Sequence, residues 1–245
     1  MAGRDDARRA ELVTSLATVR ARLADACEAA GRGVRSVTLI AVTKTYPATD
    51  AATLVRLGVL DLGENRDQEA SAKVDELARL LAAGPDAEAP RWHFIGRLQS
   101  RKCRSVARYA HAVHSLDRVE LVDGLAAGVV RADRPPLDVF VQVSIDGDPE
   151  RGGAAFEAVP ALADAIAARD ELRLRGVMAV APLGTDPAEA FERLAELSAQ
   201  VRSGHPDADA ISAGMSEDLE QAIKYGATHV RVGSALLGRR SPVFG

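Results

Sequence analysis

Little of this chain is lysine. Of 31 basic residues only Lys44, Lys73, Lys102 and Lys224 carry an amine, and arginine serves almost everywhere else. Cysteine is as scarce. Cys27 and Cys103 stand alone, without CxxC spacing or paired histidines, which argues against a disulfide framework or a zinc site and favours a reducing compartment. Aromatic residues make up 4%, the formal charge is only −4, and the basic residues are scattered. The electrostatic footprint of a nucleic-acid binder is therefore missing. No apolar run approaches the ~20 residues of a membrane span. The opening stretch MAGRDDARRAELVTSLATVRARL is charged throughout and lacks the apolar core and small-residue cleavage site of a signal peptide. A cytoplasmic protein without membrane contact is expected.

What is present is an ordinary globular balance, 47% hydrophobic and 27% charged over 245 residues, compatible with a single domain spanning 1–245. Leu12, Leu16, Val19 and Leu23 recur at spacings of three and four, the stripe of a leading amphipathic helix over 5–30. From residue 37 onward short apolar runs alternate with helical stretches. The runs are VTLIAVTK, VLDLGEN, RWHFIG, HAVHSL, LDVFVQVSI, LRLRGVMAV, DADAISAG and THVRVGSAL. Eight βα units predict an α/β fold closed into a (β/α)8 TIM barrel with an additional N-terminal helix. An open doubly wound sheet competes, but LIAVTKTYP has no glycine where GxGxxG would follow the first strand. The segments AAGPDAEAPR and IDGDPERGG read as exposed loops, the latter only weakly as a metal site.

Chemistry in such a barrel is built at the C-terminal strand ends. Here those ends are polar: Lys44; Gly63-Glu64-Asn65; Ser212 through Ser216; and Arg231 with Gly233-Ser234. SAGMSEDLEQAI offers a glycine turn, Ser216 as a helix cap and acids in the first turn, while Gly233-Ser234 permits close backbone approach. Loops after strands seven and eight commonly bind phosphate. A lysine partly buried at a strand end has a lowered pKa and reacts with aldehydes, which arginine cannot do. Phosphate plus lysine points to pyridoxal 5′-phosphate (PLP) or to a sugar phosphate handled by an aldolase-type lysine. Arg231 suits the pyridine nitrogen of PLP, or else pairs with a strand-end acid such as Glu64. Asn65 either bonds the cofactor ring or caps the next helix. His93 either faces the mouth or is packed and hydrogen-bonded, and His111, His114, His205 and His229 show no ligand spacing.

The segments AVTKTYP, LGENRDQEA, WHFIGRLQS, VHSLD, RGVMAV, SAGMSEDLEQAI and RVGSALLGRR, in this order, resemble the PLP homeostasis proteins, also called the YggS or PROSC family, whose fold is similar to the barrel domain of alanine racemase. The resemblance implies that Lys44 holds PLP as an internal aldimine, that Ser216, Gly233 and Ser234 surround the phosphate, that Arg231 faces the pyridine nitrogen, and that Asn65 lies near the cofactor. Three positions depart from the family pattern: Arg66 replaces an aromatic residue, Arg101 an asparagine, and Ser234 a threonine, the last keeping the hydroxyl.

A charged arginine at the ring nitrogen leaves the cofactor a weaker electron sink. A racemase would also need a base opposite the lysine, supplied in alanine racemases by a tyrosine of a further domain. Tyr46, two residues from Lys44, is poorly placed for that. The expectation is a monomeric PLP-binding protein serving intracellular PLP homeostasis and delivery to apo-PLP enzymes, without strong catalysis; a PLP-dependent racemase-type enzyme is the alternative.

Overall fold

The computed structural model describes residues 2–84, 88–148, 151–182, 184 and 186–238, and in it eight parallel strands close into a barrel in sequence order. The strands are β1 (Thr38–Val42), β2 (Asp61–Glu64), β3 (Arg91–Phe94), β4 (Ala112–Leu116), β5 (Leu137–Gln142), β6 (Leu172–Met178), β7 (Ala210–Ser212) and β8 (His229–Val232). A leading helix α1 (Ala2–Ala29) precedes them. Each strand is then followed by a helix: α2 (Ala48–Arg56), α3 (Asp67–Ala82), α4 (Cys103–Tyr109), α5 (Glu120–Arg131), α6 (Val159–Ala167), α7 (Pro187–Gly204), α8 (Leu219–Lys224) and α9 (Ser234–Leu237). The predicted TIM barrel with an extra N-terminal helix is the fold observed. Parts of AAGPDAEAPR and IDGDPERGG, and Arg239 and Arg240 of the terminal motif, lie outside the described residues.

Several helices start later than periodicity implies, because single 3-10 turns at Ser100–Lys102 and Phe156–Ala158 stand before α4 and α6. Most apolar burial lies between the barrel wall and the helices, in two large clusters, one of which contains the α1 stripe. Leu12, Leu16, Val19 and Leu23 are each at most 4% exposed, and burying each stabilises the fold by roughly 1.5–3 kcal/mol. Arginines on α1 fasten it to neighbouring helices and to the loop after β7: Arg8 donates to Asp50 of α2 and to the Leu237 carbonyl of α9, Arg22 to the Ser216 carbonyl and to Glu220 of α8. By contrast the apolar cluster inside the barrel is small, comprising Ala112, Phe140, Met178 and Ala210. Much of the remaining interior is polar. No helix among the described residues is long and apolar enough to cross a membrane.

Candidate functional site

Register places the predicted residues on four contiguous strand ends. β1 pairs with β8 through Ile40 opposite Arg231 and Ala41 opposite Val232, and with β2 through Val42 opposite Gly63. β7 joins β8 where Arg231 N–H donates to the Gly214 carbonyl. Lys44, Asn65, the Gly214–Ser216 loop, Arg231 and Gly233–Ser234 therefore share the rim formed by β7, β8, β1 and β2.

Lys44 is exposed there, not partly buried as its strand-end position predicts. β1 ends at Val42 and the next four residues form a turn, closed by Tyr46 N–H on the Thr43 carbonyl and carrying Thr45 at φ 65°. Two of the remaining lysines are tied to carboxylates. Lys73 is buried and donates to Glu64 at 2.6 Å and to the Thr43 carbonyl at 2.7 Å, while Lys102 pairs with Asp67 at 3.1 Å. Lys224 lies over the Tyr225 ring.

Glu64 is thus engaged by Lys73 and by the Thr43 hydroxyl at 2.7 Å, and the alternative pairing of Glu64 with Arg231 does not occur. Asn65 does not cap α3 either: Arg66 holds the N-cap position, and the buried amide oxygen of Asn65 has no hydrogen-bond partner among the described residues. Gly96 holds Asn65 in place by close approach, since a Cβ at residue 96 would sit 2.0 Å from the Asn65 carbonyl oxygen.

On β7 the expected cap is corrected. α8 begins at Leu219 with Asp218 before it, and the Asp218 carboxylate reaches back to Met215 N–H at 2.6 Å. Ser216 instead accepts Ala235 N–H at 3.3 Å, joining the β7 loop to the start of α9 beside Gly233–Ser234. Gly214 makes the turn with φ 89°, and a Cβ there would meet the Ala222 Cβ at 2.6 Å; only glycine fits.

Arg231 runs beneath this rim, 4% exposed, donating to the Ser212 hydroxyl at 2.6 Å and the Ala179 carbonyl at 2.8 Å. Burial lowers its pKa to about 10, with the Asp218 carboxylate opposing the shift, so it stays charged at neutral pH. It has no ion-pair partner among the described residues.

Arg66 and Arg101 are exposed and make local contacts, with Glu69 and with Gln99. Arg101 lines a surface pocket of about 510 Å³ with Arg104, Arg108 and Arg131, apart from the β7–β8–β1–β2 ends. Sequence reasoning left His114 without a role and His93 open between two. Both prove to be packed and hydrogen-bonded inside the barrel. The signal was a histidine inside a short strand run, WHFIG for His93 and HAVHSL for His114.

The family described as alanine racemase, N-terminal domain, matches residues 14–241. The pyridoxal phosphate homeostasis protein of Mycobacterium bovis is 48% identical over 246 residues, spanning 95% of this chain and 94% of its own. An unknown protein from Bifidobacterium adolescentis has TM-score 0.86 at 30% identity, over 94% of this chain and 96% of the other. PipY of Synechococcus elongatus PCC7942, solved with PLP bound, gives TM-score 0.78 at 29% identity, over 93% of this chain and 100% of its own. With a match across most of its length and a relative nearly half identical, this chain belongs to the pyridoxal phosphate homeostasis proteins, on the alanine racemase N-terminal fold.

Proposed function

We propose that the barrel is a single domain that binds PLP reversibly through Lys44 and serves intracellular PLP homeostasis, passing the cofactor to apo-enzymes, with little turnover of its own. The observation that carries this reading is the convergence of Lys44, Asn65, Ser216, Arg231, Gly233 and Ser234 on four neighbouring strand ends. Relatives named for PLP homeostasis, and the PLP-bound PipY, support the same ligand.

The residues fit the group. Lys44 is an exposed residue at the rim, on the side from which an aldehyde would arrive. The buried amide oxygen of Asn65, unmatched among the described residues, suits a hydrogen-bonding ligand. Backbone and hydroxyl groups at Ser216, Gly233 and Ser234 suit a phosphate, and Arg231 suits a ring nitrogen. When bound, PLP supplies an aldehyde and an electron-accepting ring. Lys44 would hold the cofactor by its aldehyde, reversibly because such a linkage to an amine is open to hydrolysis, while Ser216, Gly233 and Ser234 would hold the phosphate and Arg231 the ring nitrogen.

Arg231 is charged at neutral pH and has only neutral acceptors, so it disfavours a proton on the ring nitrogen and weakens the ring as an electron sink. Tyr46 donates to the Gly238 carbonyl at 2.7 Å, an orientation toward α9 that does not equip it as a base across from Lys44. The family match favours a racemase-type enzyme as the competing reading. Large exposed apolar residues among the described residues are four valines at 13, 34, 119 and 130, which suits a monomer.

The two readings separate on the PLP-loaded protein incubated with single amino acids. A yellow protein without racemisation or decarboxylation is the expected result. Efficient turnover that disappears in Lys44→Ala would replace the carrier with an enzyme.

A further inference from the structure

Beneath Arg231 a single file of hydrogen bonds crosses the barrel interior. Arg231 Nη1 meets Ser212 Oγ at 2.6 Å, Ser212 Oγ meets His114 Nδ1 at 2.8 Å, His114 Nε2 meets His93 Nδ1 at 2.9 Å, and His93 Nε2 meets Asp61 Oδ1 at 2.9 Å. Asp61 is anchored in turn by two bonds from Arg91, at 2.8 and 2.7 Å. The file therefore runs from β8 through β7, β4 and β3 to the first residue of β2, from the ligand rim toward the opposite face. Every member but Arg91 is buried.

The ends fix its direction. A guanidinium only donates and a carboxylate only accepts. Ser212 accepts from Arg231 and has one proton to give, which goes to His114 Nδ1. His114 then donates from Nε2 to His93 Nδ1, and His93 donates from Nε2 to Asp61. Reversal without an added proton would point the bare Nε2 of His93 at a carboxylate, which is repulsive.

We infer that Ser212, His114 and His93 are positioning residues for Arg231, forming a relay of uncharged donors and acceptors that orients the guanidinium toward the cofactor ring nitrogen without supplying a counter-charge. This rests on the PLP reading above. It explains why a buried cation at the site is met by a hydroxyl and a carbonyl, while the carboxylate of the file lies three bonds further from it and is already held by Arg91. Burial keeps the central ring, His114, uncharged. Burial pushes His114 well below the usual histidine value, helped by His93, His229 and Arg231, and Phe140 stacks on its ring at 4.3 Å. His229, facing the same space, is lowered to about 4 by burial and by His93, with Asp61 opposing and Arg175 and Arg231 adding. Burial alone would raise the Asp61 carboxyl, but the bonds from Arg91 and His93 outweigh it and hold it well below the usual carboxylate range.

Two measurements test the relay. Nitrogen NMR of the imidazoles in the cofactor-free protein should show His114 and His93 each protonated on Nε2 and bare on Nδ1 at neutral pH. A proton on Nδ1 of either ring would overturn the inference, whatever the ligand. In the PLP-loaded protein, the pH midpoint of the visible absorption band should move by about one pH unit in Ser212→Ala, the scale of one hydrogen bond to a charged group, and return in Ser212→Thr. An unmoved midpoint in a Ser212→Ala protein that still carries the band would equally overturn it. Absence of any band in the wild-type protein would instead sink the PLP reading and leave the NMR result to judge the relay.

Discussion

At the scale of single residues, the pair beside Lys44 is the sharpest test of how the rim is held. Glu64 and Lys73 have side chains 1% and 8% exposed, and removing one partner of such a pair leaves a buried charge that costs about 3–5 kcal/mol. Lys73→Met should lower stability by that amount in urea unfolding, and adding Glu64→Gln should recover most of it. A single-variant loss under about 1 kcal/mol, the scale of a surface pair, would show that Glu64 is solvated. This partner was not legible in the sequence. Glu64 ends a strand and Lys73 lies nine residues on in α3, a spacing that belongs to neither helical nor strand periodicity. Strand-end proximity alone left Arg231 as the partner to consider. The shared rim of the six candidate residues was legible because strand-end chemistry and the family motifs select the same positions. Exposure at Lys44 was not, since it depends on where β1 stops.

At the scale of elements, the close approach of the β3 end to the β2 end sets Asn65. In Gly96→Ala the new Cβ would meet the Asn65 carbonyl at 2.0 Å, so backbone must move, at a cost of about 1–3 kcal/mol. The expected outcome is weaker PLP retention together with a lower urea midpoint. Unchanged retention would separate Asn65 from the site. The element order was readable because short apolar runs alternate regularly with stretches of helical periodicity. Helix starts were less so: 3-10 turns and the Asp218–Met215 bond occupy positions whose composition suits a first helical turn.

At the scale of the whole molecule, the polar barrel interior predicts acid sensitivity. The folded-state values of His114 and His229 lie below the ordinary 6.5, at about 4 for His229. As pH falls through 6.5 the unfolded chain takes up these protons and the folded protein does not. Their contribution is therefore complete above about pH 6.5 and declines by about 1.4 kcal/mol per pH unit for each histidine as pH falls toward the folded value. The urea midpoint should drop between about pH 7 and about pH 5, and a flat midpoint across that window would mean that the rings are protonated in the folded barrel. Barrel closure was legible from the count of eight units. The interior histidine file was not, because His93 and His114 lie on different strands and only the register of β3 with β4 brings them together. The measurement that bears most directly on the proposed function is borohydride reduction of the PLP-loaded protein, followed by mass mapping over its four lysines. A pyridoxyl group on Lys44 is the expected result. No adduct, or one confined to Lys73, Lys102 or Lys224, would contradict the assignment of Lys44 and reopen the sugar-phosphate reading.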